Sequence, residues 1–273
     1  MSIPKNVIGI WGVPRSGTTW LSQILNSSPK TVFRYQPLFS YAFKHRLSDK
    51  SSKKEILEFF QKIMESDDEF ILHGLAKREE RDKLNFTKDK NSTHLVMKHV
   101  RYLQIINNLL NKIPNLKVIG IVRHPCATIN SWINCKNEFS EQWIDTDEWF
   151  HAEKKNKDRV EEFFGFKKWM EAMIIFEEII KRHPEKFYLQ SYSKLLDNPE
   201  NEIVKLFKFI NLKYNEQTLE FIQNSRLSAG RSDYSVFRLK KNDRAWENEL
   251  SPLIRKIIKD SLVGTKFEKY LYQ

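Results

Sequence analysis

Two segments of the chain combine a short apolar run with a helical pattern of apolar positions. Residues 7–11 read Val-Ile-Gly-Ile-Trp, and after a turn rich in glycine and proline, apolar residues recur at helical spacing over 19–26. Residues 116–123 repeat this arrangement, because the apolar run ends at His-Pro and a helical pattern follows over 126–133. Both patterns predict a buried strand, a turn and a helix.

Strands and helices continue to alternate along the rest of the chain. The patterns predict strands at 94–98 and 186–190, and helices at 51–66, 102–112, 163–182 and 201–210. Such alternation is typical of a parallel sheet that is covered by helices on both faces. We therefore predict one α/β domain over residues 1–273, a three-layer sandwich with a central parallel sheet.

Two segments read as insertions over the ends of the predicted strands. They cover residues 33–93 and 138–158. Ligands of open parallel sheets bind outside the carboxyl ends of the strands. We expect these two segments to cover the site of a substrate.

Residues 12–19, Gly-Val-Pro-Arg-Ser-Gly-Thr-Thr, form the first candidate site. Two glycines five positions apart at a strand-to-helix junction let backbone N–H groups point at an anion, and the helix N-terminus adds partial positive charge. This predicts a phosphate-binding loop and a P-loop NTPase-like fold. Nucleotide triphosphatases place Lys directly after the second glycine, but this chain has Thr18 there. The cation is instead Arg15, inside the loop, where it can stabilise charge on a leaving group.

Composition narrows the choice of ligand only partly. The net charge of +11 favours anionic ligands without selecting among nucleotides, acidic glycans, nucleic acid or lipid, and no nucleic-acid-binding motif is present. Cys126 and Cys135 do not make the disulfide framework of a small secreted domain. No apolar stretch approaches the ~20 residues that span a bilayer. We expect a cytoplasmic protein without a transmembrane segment.

Two motifs together resemble one enzyme family. Residues 14–20, Pro-Arg-Ser-Gly-Thr-Thr-Trp, look like the 5′-phosphosulfate loop of sulfotransferases that use 3′-phosphoadenosine 5′-phosphosulfate (PAPS). Arg123, followed eight residues later by Ser131, resembles the part of the signature that binds the 3′-phosphate. An arginine fork at a strand tip and a hydroxyl on the next helix can converge on a second phosphate. The resemblance implies sulfuryl transfer from PAPS, leaving adenosine 3′,5′-bisphosphate (PAP), with a donor site of Arg15, Ser16, Gly17, Thr18, Thr19, Trp20, Arg123 and Ser131.

Three looser matches extend the resemblance. Trp20 stands at the family position that stacks on adenine, and Tyr192 begins a Tyr-Ser-Lys-Leu-Leu segment like the family's Tyr-Glu-Asp-Leu. Both aromatics fit a core role equally well. Residues 237–246 loosely resemble the last donor loop of cytosolic sulfotransferases but lack its glycines. Arg238, Lys240 and Lys241 are therefore candidates for the 3′-phosphate, with a basic surface turn as the alternative.

The resemblance also suggests groups for the transfer step. Cytosolic sulfotransferases use a His in a Lys-Thr-His segment as the base, and residues 97–101, Met-Lys-His-Val-Arg, place His99 one position away from it. A shift of one residue reverses the face of a side chain if the strand continues. His99 is the candidate base and Lys98 a candidate donor to the transferring group. PAPS carries no metal-bridged triphosphate, so no metal is required.

Two further segments favour a carbohydrate acceptor. The Lys-His-Val-Arg stretch resembles carbohydrate sulfotransferases, as do residues 34–38, where Gln36 replaces the family's Glu. An amide can orient a sugar hydroxyl but cannot act as a carboxylate base, which makes His45 a substitute candidate. Sugar stacking or core packing explains the aromatic residues of the two insertions, Phe33, Tyr35, Phe39, Tyr41, Trp143 and Trp149.

The sequence thus predicts a PAPS-dependent sulfotransferase that acts on a hydroxyl of a carbohydrate or glycolipid. Two other functions stay open at this stage. A P-loop nucleotide kinase or triphosphatase shares the strand, loop and helix, although Lys is missing after Gly17. A non-enzymatic polyanion binder fits the charge of the chain. The acceptor, the position sulfated and the oligomeric state are not predicted.

Overall fold

A computed structural model describes residues 5–227, 230, 232–239 and 242–272. Its centre is a five-stranded sheet with the strand order β2-β3-β1-β4-β5, in which each neighbouring pair is parallel. The strands are β1 (Asn6–Trp11), β2 (Thr31–Tyr35), β3 (His94–His99), β4 (Leu116–Val122) and β5 (Phe187–Ser191). The predicted α/β fold with a central parallel sheet is confirmed.

Helices follow the strands and cover the sheet. They are α1 (Thr18–Asn26), α2 (Lys53–Glu65), α3 (Glu69–His73), α4 (Arg78–Lys83), α5 (Ile106–Lys112), α6 (Pro125–Ile133), α7 (Glu148–His151), α8 (Glu153–Asn156), α9 (Phe166–Arg182), α10 (Tyr192–Asp197), α11 (Pro199–Phe209), α12 (Glu216–Leu227), α13 (Trp246–Glu249) and α14 (Pro252–Leu262). Short 3₁₀ helices lie at Pro37–Phe39, Leu103–Ile105, Glu141–Trp143 and Glu268–Tyr272. None of the helices in the described ranges is long and apolar enough to cross a membrane.

The two faces of the sheet carry separate hydrophobic cores. In β1, Val7 and Trp11 pack with α2, α5, α6, α9 and α14, whereas Ile8 and Ile10 pack with α1, α10, α11 and α12. This alternation follows from the two-residue period of a strand. The three layers predicted from the sequence are therefore helices, sheet and helices.

The segment predicted as an insertion from residue 33 begins inside the sheet. β2 is the edge strand beside β3, and its Arg34 interrupts the apolar pattern that would have predicted a strand. The Arg34 guanidinium is buried and donates to the carbonyl oxygens of Ile63, of Met64 at 2.7 Å and of Phe33 at 2.8 Å. Burial lowers the pKa of Arg34 to about 10. The arginine thus satisfies carbonyl groups in the last turn of α2, which itself packs in the core.

Candidate active site

The loop at residues 12–19 joins β1 to α1 in a conformation that requires its glycines. Gly17 has φ 90°, and a Cβ there would lie 2.3 Å from the Tyr192 ring. A Cβ at Gly12 would lie 2.6 Å from the Ile121 side chain. No side chain caps the N-terminus of α1, so its first N–H groups face the loop. Backbone donors and the helix dipole thus meet where the sequence predicted an anion.

One cavity of about 550 Å³ opens along this loop. The predicted donor-site and transfer residues that line it are Arg15, Gly17, Thr18, Thr19, Trp20, Lys98, Arg123, Ser131 and Tyr192. Ser16, also in the loop, is fully buried and does not line the cavity, and its hydroxyl has no hydrogen-bond partner among the described residues. Lys240 and Lys241 lie outside the described residues. The fold therefore brings the two sequence motifs to one cavity.

Arg15 connects the loop to the second motif. Its Nε donates to the Ser131 hydroxyl at 3.3 Å, and both of its terminal nitrogens donate to the carbonyl oxygen of Asp233 at 3.3 Å. Ser131 lies on α6, which follows β4. A guanidinium and a hydroxyl from distant parts of the chain are thus within hydrogen-bond distance of each other.

Arg123, at the carboxyl end of β4, is buried and donates hydrogen bonds to three oxygen atoms. Its Nε and one terminal nitrogen donate to the two carboxylate oxygens of Asp243 at 2.7 and 2.6 Å, and the other donates to the Arg15 carbonyl at 2.7 Å. Burial lowers the pKa of Arg123, but the hydrogen bonds and charge of Asp243 outweigh this effect and raise it overall. The Arg123 guanidinium binds a carboxylate in the bidentate geometry that also suits a phosphate.

Trp20 and Tyr192 form an aromatic wall beside the loop. Their rings meet edge to face, with centroids 6.4 Å apart, and the Trp20 Nε1 donates to the Ser225 hydroxyl at 3.0 Å. The Arg123 guanidinium lies 5.0 Å from the centroid of the Tyr192 ring. Both rings are largely buried and line the cavity. Adenine stacking on them stays a prediction.

Lys98 is the buried cation of the cavity. The strand directs it to the cavity side of the sheet, where its Nζ lies 4.4 Å from the centroid of the Tyr35 ring. Burial and the charges of Arg101 and Arg15 lower the pKa of Lys98 to about 7, although Glu138 opposes them. The amine can therefore change its protonation near neutral pH.

His99 points to the opposite face of the sheet, which corrects its assignment as the base. Its ring stacks on Trp11 at 4.6 Å and does not line the cavity. Burial and the charge of Lys98 lower the pKa of His99 to about 3, so the ring is neutral. The cause is the two-residue period of β3, in which neighbours face opposite sides. His45 is exposed near the Tyr102 hydroxyl, at 3.2 Å, and also lies outside the cavity.

The aromatic residues of the insertions divide between cavity and core. Tyr35 and Phe39 line the cavity, together with Phe70 and Phe164, which the sequence did not single out. Gln36 also lines it, and its side-chain oxygen accepts a hydrogen bond from Arg101 at 3.3 Å. The predicted sugar-stacking residues that lie elsewhere are Phe33 and Trp149 in the core, Trp143 packed against the core, and the exposed Tyr41.

Two further parts of the chain complete the cavity wall. Glu138 follows α6, and its Oε1 accepts a hydrogen bond from the Tyr234 hydroxyl at 3.0 Å. Arg238 donates to the Asp233 carbonyl at 2.8 Å, which ties residues 232–239 to Arg15. The sequence offered only a weak signal for these residues, because Glu138 opens a predicted insertion and Arg238 lies in the loosely matching segment. Within the described ranges, no cluster of three or more acidic, histidine or cysteine side chains could hold a metal ion.

Comparisons with known proteins find related sequences. A family model described as "Sulfotransferase family" matches residues 8–216. An uncharacterized protein of Aquifex aeolicus is 25% identical over 240 residues, which are 81% of this chain and 28% of that protein. Cytosolic sulfotransferase 14 of Arabidopsis thaliana is 28% identical over 221 residues, 79% of this chain and 56% of that protein. The chain thus spans less than two thirds of the length of either relative.

Solved structures share the fold. Mouse sulfotransferase SULT7A1, complexed with PAP, is similar with a TM-score of 0.60 and 16% identity, over 100% of this chain and 89% of that chain. A sulfotransferase domain from the curacin biosynthetic pathway is similar with a TM-score of 0.54 and 16% identity, over 96% of this chain and 98% of that domain. At these identities the likeness concerns the fold.

Proposed function

Because this chain belongs to the sulfotransferase family, we propose that it transfers the sulfuryl group of PAPS to an acceptor hydroxyl. The observation that carries the proposal is the convergence of two motifs, since Arg15 of the loop bonds Ser131 and its carbonyl accepts from Arg123. A triphosphatase would need Lys after Gly17, where this chain has Thr18. The complex of mouse SULT7A1 with PAP supports the same ligand for this cavity.

Each part of the donor has a matching group in the cavity. The loop N–H groups and the N-terminus of α1 bind the 5′-phosphosulfate. Arg123 and Ser131 bind the 3′-phosphate, and Trp20 and Tyr192 pack against the adenine.

Sulfuryl transfer then proceeds by positioning and charge stabilisation. The acceptor oxygen attacks sulfur in line with the bond to the 5′-phosphate, and that bond breaks with its electron pair going to the phosphate. Arg15 stabilises the charge that develops on the departing PAP. Lys98, when protonated, donates to the sulfuryl oxygens. By analogy with phosphoryl transfer, these effects supply most of the catalysis.

The proposed acceptor is a hydroxyl of a carbohydrate or glycolipid. Tyr35, Phe39 and Phe70 offer aromatic surface in the cavity, and the amides of Gln36 and Asn137 offer hydrogen bonds. Aromatic faces beside amide groups suit a sugar ring, which is apolar on its faces and polar at its rim.

Two measurements test the proposal. Thermal stabilisation of the protein by PAP should exceed that by ATP with Mg²⁺ at equal concentration, and a preference for ATP would reject the donor. A screen of saccharide, glycolipid and phenol acceptors with ³⁵S-labelled PAPS should label a saccharide or glycolipid. Labelling of phenols alone would support PAPS as the donor but reject a carbohydrate or glycolipid as the acceptor.

A further inference from the structure

With His99 on the far face of the sheet and Gln36 in place of a carboxylate, the cavity needs another group to take the acceptor proton. Three carboxylates line it within the described ranges: Glu138, Asp233 and Glu249. Asp233 accepts from the Asn137 amide at 3.1 Å, and a single oxygen of Glu249 accepts from Asn130 at 2.7 Å and Asn134 at 3.2 Å.

Glu138 differs from the other two in having a buried oxygen without a partner. Its Oε1 accepts from the Tyr234 hydroxyl at 3.0 Å, while its Oε2 is buried and has no hydrogen-bond partner among the described residues. Buried polar atoms are rarely left unpaired, so an orphaned oxygen on a carboxylate residue that lines the cavity indicates a missing donor. The hydroxyl of a bound acceptor is such a donor.

The turn that carries Glu138 is fixed in place. The N–H groups of Glu138 and Phe139 both donate to the Cys135 carbonyl at 2.8 Å. The Phe139 ring is buried edge-on against Trp132, with centroids 5.0 Å apart. The carboxylate is thus held by a backbone turn anchored in the core, and Tyr234 fixes one of its oxygens. A base must be positioned in this way to act efficiently.

The charges around Glu138 belong to the transfer site. Its charge raises the pKa of Lys98, against the larger effects of burial and Arg101, and it also acts on Lys155. Glu138 and the lysine assigned to the sulfuryl group both line the cavity that contains Arg15.

We propose that Glu138 is the catalytic base of the transfer, an inference that rests on the proposed function. The acceptor O–H proton moves to Glu138 Oε2 as the acceptor oxygen forms its bond to sulfur. The bond between sulfur and the 5′-phosphate oxygen breaks, and PAP leaves with that electron pair. The products are the sulfate ester, PAP and a protonated Glu138, which then returns its proton to solvent.

The experiment compares Glu138→Gln with wild type on two acceptors, octyl β-glucoside and p-nitrophenol. Octyl β-glucoside presents alcohol groups that must lose a proton, whereas p-nitrophenol is largely ionised in mildly alkaline buffer. With ³⁵S-labelled PAPS, the variant should lose about a hundredfold or more in kcat on the glucoside, the usual range for a lost base. Its kcat on p-nitrophenol and its affinity for PAP should change less than about threefold, well under 1 kcal/mol.

The matched control is Glu141→Gln, because Glu141 is an exposed carboxylate three residues further along, paired only loosely with Lys136 at 3.9 Å. It should behave as wild type on both acceptors. An unchanged glucoside rate in Glu138→Gln, or an equal loss on both acceptors, would overturn the assignment of the base. If wild type binds PAP but labels neither acceptor, the proposed function itself fails in its acceptor half, and failure to bind PAP rejects its donor half.

Discussion

At the scale of single residues, the pair of Arg123 and Asp243 bears directly on the proposed binding of the 3′-phosphate. The side chains of both residues are 9% exposed, and the carboxylate already occupies the bidentate face of the guanidinium. A 3′-phosphate must share or displace that carboxylate, and two anions at one cation repel each other. Asp243 therefore keeps Arg123 oriented in the free protein at a cost to donor affinity.

Replacing Asp243 by Asn tests this competition. Asp243→Asn should raise the affinity for PAP several-fold and lower the stability of the free protein, since a buried arginine loses its counter-ion. Titration calorimetry measures the affinity for PAP and for adenosine 5′-monophosphate. Because only PAP carries the 3′-phosphate, a change seen with PAP alone is assigned to the binding of that phosphate. Arg123→Ala should instead lower the affinity for PAP and leave the affinity for the monophosphate nearly unchanged. Equal changes for both nucleotides would contradict the assignment of Arg123 to the 3′-phosphate.

On the proposed function, we expect the buried amine of Lys98 to couple donor binding to protonation. Its pKa is lowered to about 7 in the free protein, from 10.5 in a solvated chain, mainly by burial. An anion bound beside it favours the charged amine and raises that pKa. Between pH 7 and pH 8 the Lys98 amine is only partly protonated in the free protein and more fully protonated in the complex. PAP binding should therefore take up protons from solution.

Calorimetry of PAP binding at pH 7.5, in two buffers of different ionisation enthalpy, measures this uptake. Wild type should take up more protons than Lys98→Met, whereas Lys54→Met, which removes an exposed lysine, should match wild type. The phosphate groups of PAP also exchange protons on binding, but they do so in every variant. The difference in uptake between variants therefore reports the lysine that was replaced. An uptake that is identical in Lys98→Met would show that Lys98 does not change its protonation when PAP binds.

At the scale of elements, the phosphate-binding loop depends on two separate features of Gly17. Its φ of 90° strains any residue with a Cβ, and the Tyr192 ring blocks the space that the Cβ would fill. Gly264 provides the matched control, because its φ is 75° but nothing lies within 4 Å of a Cβ there.

Alanine at the two positions should separate strain from collision. Gly264→Ala should cost about 1–2 kcal/mol of unfolding free energy, the usual cost of a left-handed residue, with no change in PAP affinity. Gly17→Ala should lower the free energy of unfolding by more than this and lower the affinity for PAP at least tenfold, since the loop and the Tyr192 ring must both move. Chemical denaturation and PAP titration measure the two quantities. Equal losses of stability at both sites would show that the contact with Tyr192 contributes nothing.

The same scale explains which elements the sequence predicts. β1 with α1 and β4 with α6 follow from apolar runs that end in glycine or proline. β2 was not predicted because the charged Arg34 interrupts its apolar pattern, and the arginine is accommodated in the core by the carbonyl groups of Phe33 and of Ile63 and Met64 in α2. His99 was misassigned because one residue separates the two faces of β3. Glu138 and Asp243 have no local signal, since their roles come from partners about a hundred residues away.

At the scale of the whole molecule, the net charge of +11 raises the question of whether binding is specific. Many lysines are exposed, and any polyanion will be attracted to them. The proposed donor site is different, because Arg123 is buried and Lys98 is only 2% exposed. Salt screens exposed charges strongly and buried ones weakly, with a Debye length of about 10 Å at 0.1 M.

Salt titration therefore distinguishes the donor site from the general surface. From low to high NaCl, the affinity for heparin should fall steeply, because a polyanion that binds exposed lysines displaces the ions around them. The affinity for PAP should fall much less, and saturating PAP should leave heparin binding outside the cavity largely intact. Both affinities are measured by competition with a fluorescent heparin and by calorimetry with PAP. If PAP binding falls as steeply as heparin binding, the nucleotide is held by surface charge, and a polyanion-binding protein becomes the better description of this molecule.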